Sequence, residues 1–339
     1  MSLPPRYGLW VQRRDSESDG HWHSCFTRGE SLCLFETEAG PREILQNGHD
    51  NSMYYSSRPF DSKVAPLKAR MAHFHGLPND LVHLKGDLRA FRLGPVSFNP
   101  SVVSHDGELY ATVRFIAGNE SRTRLGRLHL NGEFSDVREI SGCGQRAFED
   151  VRLFMRDGRF WATAVVDPRS PRVAVLALDE NGNVQRLHVQ ESPRVEKNWM
   201  PFIECGTLKL VYSVDPAPAV LTFSDLTGQV TPRPETMPDA AHIFRGGSQV
   251  IEWDGDYLAA IHHINLVDGY PIYLHRLARF DRAMTSVEMS RPFFIHSKGI
   301  EFIAGAAEHE GDLVLTFGLA DRTSHLTVVR REEVARLFR

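Results

Sequence analysis

Apolar and polar positions alternate along most of this chain in short runs, and the runs come in pairs. Five times a strand-length apolar stretch meets a tight turn and then a second apolar stretch: 98–103 with 108–115, 149–154 with 159–166, 198–203 with 207–214, 246–251 with 256–262, and 302–307 with 312–319. The turns fall at Asp106-Gly107, Asp157-Gly158, Cys205-Gly206, Asp254-Gly255 and Glu310-Gly311. Asp-Gly between alternating runs predicts a hairpin, because the turn needs positive φ, which glycine adopts without a Cβ clash. The interval is roughly fifty residues, the period of bladed repeats. Third runs follow at 125–130, 173–178, 219–223, 273–280 and 325–329, with weaker fourth runs at 137–140, 184–189 and 286–289. Three or four antiparallel strands per unit make a propeller blade, so the predicted fold class is all-β, a five-bladed β-propeller.

The first 75 residues do not share the period and predict an irregular N-terminal extension or cap, leaving 76–339 as the propeller. The stretch 82–93 alternates well enough to complete a blade and close the ring, and 332–338 carries apolar residues at helical spacing, predicting a short C-terminal helix. With 39 Lys+Arg against 43 Asp+Glu the 339-residue chain has a formal charge of −4. It therefore offers no field for nucleic acid or an anionic membrane. No apolar stretch reaches the roughly 20 residues of a membrane span, and the first residues lack a basic segment followed by an apolar one, so a cytoplasmic protein is expected. Cys25, Cys33, Cys143 and Cys205 have no Cys-x-x-Cys spacing and read as free thiols. The His21/His23 and His73/His75 pairs read as ordinary histidines, so neither metal nor cofactor is expected.

In a propeller the first strand of each blade lines the central channel, so the equivalent ends of those strands converge. In register these ends carry Asn99, then Glu149, Asp150 and Arg152, then Glu196, Lys197, Asn198 and Trp199, then Arg245, then Glu301. The ends of the second strands add Arg114, Asp167, Asp215, His262, His263 and Asp321. Carboxylates, cations and amides at one level of a channel pair with one another or engage a ligand. Local ion pairs within 149–152 and 196–197 are the simpler reading for any one of them. A polyol ligand suits the whole set, with directional donors and acceptors and Trp199 as an aromatic face. Asp150 is the proton donor singled out, since breaking a glycosidic bond requires protonation of the leaving oxygen.

The stretches FNPSVV, FEDVRLF, EKNWMPF, RGGSQVI, YLAAIHH, YLHRLARFD and EFIAGAAEHEGDLVLTFGLAD together resemble glycoside hydrolase family 130 and the related β-1,2-mannosyltransferase/phosphorylase family over about 95–330. The resemblance implies a general acid at Asp150, with Val151 where the family carries proline. It implies a substrate- or anion-binding role for His262, a sugar-hydroxyl ligand at Asp321, and correspondence of Lys197 and Asn99 to the family's lysine and first-blade asparagine. The function expected is inverting transfer or phosphorolysis of a β-mannoside-like bond, on an oligosaccharide, sugar phosphate or nucleotide sugar. Arg152, Lys197, Arg245 and His262 would hold an anionic group. Hydrolysis would need a second carboxylate among Glu149, Glu196, Glu301 and Asp321, and a non-catalytic carbohydrate-binding propeller would have all its channel acids consumed in ion pairs. No G-x-G-x-x-G follows a strand, and Asp254-Gly255-Asp256 reads as a hairpin turn, not a metal motif.

Overall fold

The computed structural model describes residues 77–339 apart from 92–95, 118–119, 143–147, 167–170, 193–196, 216, 234–243 and 268–269; within 1–76 only strand backbone is described. All five anticipated hairpin turns have both central residues at positive φ, from Asp106 (51°) and Gly107 (79°) to Glu310 (53°) and Gly311 (87°). That is the turn whose twist matches the flanking strands. A Cβ at any of these five glycines would meet nothing within 4 Å, so the requirement there is conformational, not steric.

The strands form a β-propeller. Four of the repeats close as separate four-stranded antiparallel sheets. The first runs Ser97–His105, Glu108–Ala117, Glu120–Leu128 and Phe134–Glu139, and the second Glu149–Arg156, Arg159–Val166, Arg172–Leu178 and Val184–Val189. The third runs Met200–Glu204, Thr207–Ser213, Ala219–Phe223 and Val230–Thr231. The last comprises Glu301–His309, Asp312–Leu319 and Thr323–Val329, completed by Asp87–Phe91 from the start of the ring, as the alternation of 82–93 predicts.

The remaining repeat departs from this regularity, so four discrete blades stand where five were expected. Its strands Asp256–Val267 and Tyr270–Phe280 are 12 and 11 residues long and belong to a nine-stranded sheet. That overrun exposes extra ladder positions. His73–His75 pairs in parallel with Ile264, Asn265 and Leu266, and Gly8–Leu9 pairs with His73–His75 in turn. The N-terminal region is also not irregular throughout: His21–His23, Leu34–Thr37, Gly40–Gln46 and Met53–Pro59 pair in that order as a four-stranded sheet. Its composition hid strands too short to show a period. The expected terminal helix is Arg331–Arg336, which buries Val334. No helix among the described residues is long and apolar enough to cross a membrane.

Apolar packing lies between neighbouring sheets. Phe154, Trp161 and Val175 of the second sheet meet Trp199, Leu208 and Leu210 of the third. Met200 and Val211 meet Tyr257, Ala259 and Phe280 of the large sheet, and Leu258 and Leu277 meet Ile303, Leu313 and Phe317 of the last. The last meets the first through Val314, Leu326, Val102 and Ala111, and the first meets the second through Leu125, Val151 and Leu153.

At the axis, polar contacts join inner strands. Gln249, 2% exposed, donates from Nε2 to the carbonyls of Val102 at 2.5 Å and Ala306 at 2.6 Å, and Leu153 N donates to Ser101 Oγ at 2.9 Å. A Cβ at Gly305 would lie 2.3 Å from Val102 N, so the strands meet there backbone to backbone. Gln249→Leu leaves two buried carbonyls without that donor, a loss of about 2–4 kcal/mol. A chemical-denaturation midpoint equal to the wild type's would remove Gln249 from the account of ring closure.

Candidate active site

The mouth of the channel is built by a recurring local device. Asn99, Asp150 and Asn198 sit at equivalent ends of three successive inner strands and all have left-handed backbone, with φ of 48°, 48° and 64°. Asn and Asp tolerate this region better than other residues bearing a Cβ. The first two lie in β-bulges: register slips between Phe98 and Ser101 on the first inner strand, and between Glu149 and Arg152 on the second. A bulge turns a side chain out of the ladder, here toward the channel mouth. Asp321 has φ of 51° in the turn after Asp312–Leu319.

These residues come together. Asn99 Nδ2 donates to Asp150 Oδ1 at 2.9 Å across two sheets. Arg114 Nη2 bonds Glu149 Oε1 at 2.6 Å, its Nε donates to Ser121 Oγ at 2.7 Å, and its guanidinium lies 4.9 Å from the Phe98 ring centre. Partial burial and the Asp150 charge raise the Asp321 carboxyl above the usual carboxylate range, with Arg114 opposing. Asp150 and Asp321 form no ion pair among the described residues. Tyr273, not anticipated from sequence, stacks on His262 with ring centres 5.5 Å apart and planes at 6°. Burial raises its phenol, as do Asp321 and Asp150, while Arg245 pulls it down. Its one sequence signal was an aromatic at the head of the strand facing the His262-His263 pair.

Arg245 and His262 are register partners on adjoining strands, 8% and 3% exposed. Burial lowers the Arg245 guanidinium to about 10, the Tyr273 phenol opposing. Arg245 Nη2 and His262 Nδ1 have no hydrogen-bond partner among the described residues. His262 is held neutral by burial and then by the charges of Arg245, His275, Arg152 and His263, and burial with Arg276 and His275 lowers His263 to about 3. An unfolded chain takes up both protons near the ordinary value of 6.5. The stability carried by the neutral rings is thus complete above that pH and is lost on acidification, at about 1.4 kcal/mol per pH unit per ring. Denaturation midpoints between pH 7 and pH 5 check this; a slope unchanged in His263→Gln would contradict it.

Three anticipated ligands are placed otherwise. Trp199, just before the strand Met200–Glu204, is 1% exposed and packed in the core between the second and third sheets with its ring 5.8 Å from Tyr212, facing a sheet interface and not the channel; it gives a sugar no face. Glu301 is fully buried, and its oxygens accept from the backbone of Ile295 at 2.7 Å, His296 at 2.8 Å and Ser297 at 3.3 Å, with His275 at 3.4 Å. Burial pushes its carboxyl up, but His275 and those amides outweigh it and hold it below the usual range. Arg152 is 1% exposed and bonded to protein groups throughout.

Lys197 is half-buried at the mouth and forms no hydrogen bond or ion pair among the described residues, and Asn198 Oδ1 accepts from Arg152. Asp215 is half-buried, and burial raises its carboxyl. Glu196, Asp167 and the side chains of His21, His23, His73 and His75 lie outside the described residues. Asp254 and Gly255 form the expected turn, the aspartate paired with Arg331.

No protein-family description and no curated protein matches the sequence. Solved structures match in fold. A β-1,2-mannobiose phosphorylase from Listeria innocua is 14% identical with a TM-score of 0.54, over 74% of this chain and 93% of its own. A structure from the GH130 family of mannoside phosphorylases, described as containing hydrolases that target β-1,2 mannosidic linkages in Candida mannan, is 15% identical with a TM-score of 0.53, over 76% and 97%. MPT-4, a mannose phosphorylase from Leishmania mexicana in complex with phosphate, is 13% identical with a TM-score of 0.50, over 74% and 89%. The chain therefore has the propeller fold that family-130 proteins share.

Proposed function

We propose that this protein is an inverting carbohydrate-active enzyme that transfers or phosphorolyses a β-mannoside-like bond, with Asp150 as the proton donor. The carrying observation is the pairing, in one channel mouth, of an Asp150 carboxyl outside any ion pair with a buried cation, Arg245, whose Nη2 is unpartnered. Asp150 would deliver its proton to the bridging oxygen, directly or through a sugar hydroxyl, as the bond to the anomeric carbon breaks. A phosphate or sugar-phosphate oxygen held by Arg245, with His262, Tyr273 and Lys197 around it, would occupy the opposite face. Asn99 and Asp321 would bind sugar hydroxyls. On this reading the ring is five-bladed, the nine-stranded sheet containing the fourth blade; its apolar contacts with both neighbouring sheets support that count.

The arrangement favours this over the alternatives. Hydrolysis needs a base, yet Glu149 is tied to Arg114 and Glu301 to backbone amides, which among the described candidates leaves Asp321, here assigned to a sugar hydroxyl. A purely binding propeller would have its channel acids consumed in ion pairs, and Asp150 and Asp321 are not. The test is product analysis on β-1,2-mannobiose and related β-mannosides with and without phosphate, alongside mannose 1-phosphate and GDP-mannose with acceptor sugars. The expected product is the α-configured sugar phosphate, or a new β-linkage in the transfer direction. Phosphate-independent release of free sugar would replace this reading with hydrolysis, and binding without turnover would replace it with a lectin-like role.

A further inference from the structure

Arg152 is a buried cation that forms no ion pair among the described residues, the Asp150 charge supporting it only in part against burial. Its partners are Gly247 O at 2.7 Å from Nε, Asp150 O at 3.0 Å from Nη1, and Asn198 Oδ1 at 2.9 Å and Gly246 O at 3.2 Å from Nη2. All four acceptors are neutral, and they come from the second sheet, the third and the segment that opens the large sheet. Burying a guanidinium on neutral acceptors is expensive, and an apolar side chain would fill the volume at lower cost. Its retention therefore calls for something an apolar residue cannot do.

What the fork holds is distinctive. Asp150 is left-handed and in a bulge, so its carbonyl leaves the regular ladder, and that carbonyl is the one Nη1 takes. Nη2 fixes Asn198, the left-handed residue of the next sheet. The remaining contacts fall on a glycine pair that admits no side chain: a Cβ at Gly246 would lie 2.0 Å from Asn198 O, and one at Gly247 2.7 Å from the carbonyls of Ala260 and Ile303. A planar fork meets four acceptors at once; a lysine ammonium, a single point donor, cannot.

We infer that Arg152 is a positioning residue for the proton donor. It locks the Asp150 backbone in its left-handed bulge and ties that bulge to two neighbouring sheets, so that the carboxylate reaches Asn99 and the substrate in one fixed orientation. This rests on Asp150 being the acid.

The experiment uses Arg152→Ala and Arg152→Lys in the full chain, beside wild type and Asp150→Asn. Misplacing a reacting group by about 1 Å costs on the order of 10²-fold. Both Arg152 variants are therefore expected to lose about that much kcat, with KM changed by less than about threefold. Millimolar methylguanidinium should restore turnover to Arg152→Ala and leave Asp150→Asn unchanged. Crystal structures of the variants should show Asp150 out of the left-handed region or its bond to Asn99 broken. Near-wild-type kcat in a folded variant, KM rising in step with the loss of kcat, or an undisturbed Asp150–Asn99 contact in the variant structure would each overturn the inference. If Arg152→Ala does not fold, the structure and kinetics of Arg152→Lys decide. If wild type turns over no glycoside, the enzymatic reading fails by itself, while the variant structures still report whether Arg152 sets the Asp150 geometry.

Discussion

Asp150→Asn is expected to lower turnover by about 10²–10⁴-fold, the range a positioned general acid contributes. The change is nearly isosteric: Asn99 Nδ2 can still donate to the side-chain oxygen at position 150, so the bulge and the Asn99 contact survive and the loss can be assigned to the proton. Substrate affinity should stay within a few-fold, which titration calorimetry on the inactive variant can read. A second measurement separates acid catalysis from mere crowding of the site. An aryl glycoside with an acidic phenol as leaving group needs little protonation, so the same variant should lose far less on it. Equal losses on both substrates would remove Asp150 from the proton-donor role.

The next largest effect is expected at Arg245. Its guanidinium forms no ion pair among the described residues, and burial, opposed by the Tyr273 phenol, lowers it to about 10. In the free protein it is therefore a cost, and an anion would discharge it. Arg245→Met should weaken binding of inorganic phosphate or mannose 1-phosphate by about 10²-fold, in line with losing one partner of a buried charge pair. The same substitution should leave the thermal midpoint of the ligand-free protein unchanged or raised, because an unpaired buried charge has been removed. The two readouts move in opposite directions only if the cation exists for a ligand. A lowered midpoint with unaltered anion affinity would make Arg245 a structural residue.

The repeat was legible because it depends on local physics. Asp-Gly turns and period-two alternation are encoded within ten residues, and each predicted turn has the positive φ the motif requires. The convergence of Asn99, Asp150, Arg114, Arg245, His262 and Asp321 followed from that repeat alone. What escaped depends on which way a side chain faces. Trp199 and Asn198 are adjacent just before the strand Met200–Glu204, yet one enters the core and the other turns to Arg152, and no composition rule distinguishes them. Glu301 looked like a ligand because a strand end cannot announce that it will curl back to hold the amides of 295–297. Arg152 read as a ligand because it is a cation at an inner-strand entry, with a local pair to Glu149 as the simpler reading; in space Glu149 belongs to Arg114, and Arg152 turns to backbone carbonyls and Asn198. The overrun of Asp256–Val267 was hidden because a strand's length beyond its blade is set by what pairs with the excess, and the partner is distant in sequence.

The place of Asp87–Phe91 beside Thr323–Val329 bears on how the molecule is made. The strand at the start of the ring must wait for Thr323–Val329, so the final sheet is a latch that closes late. Until then Leu326 and Val314 have no Phe91 to cover them, and the nascent chain presents an apolar edge that chaperones would recognise. Long-range pairing of this kind also makes assembly slow compared with the hairpins, which fold as each emerges.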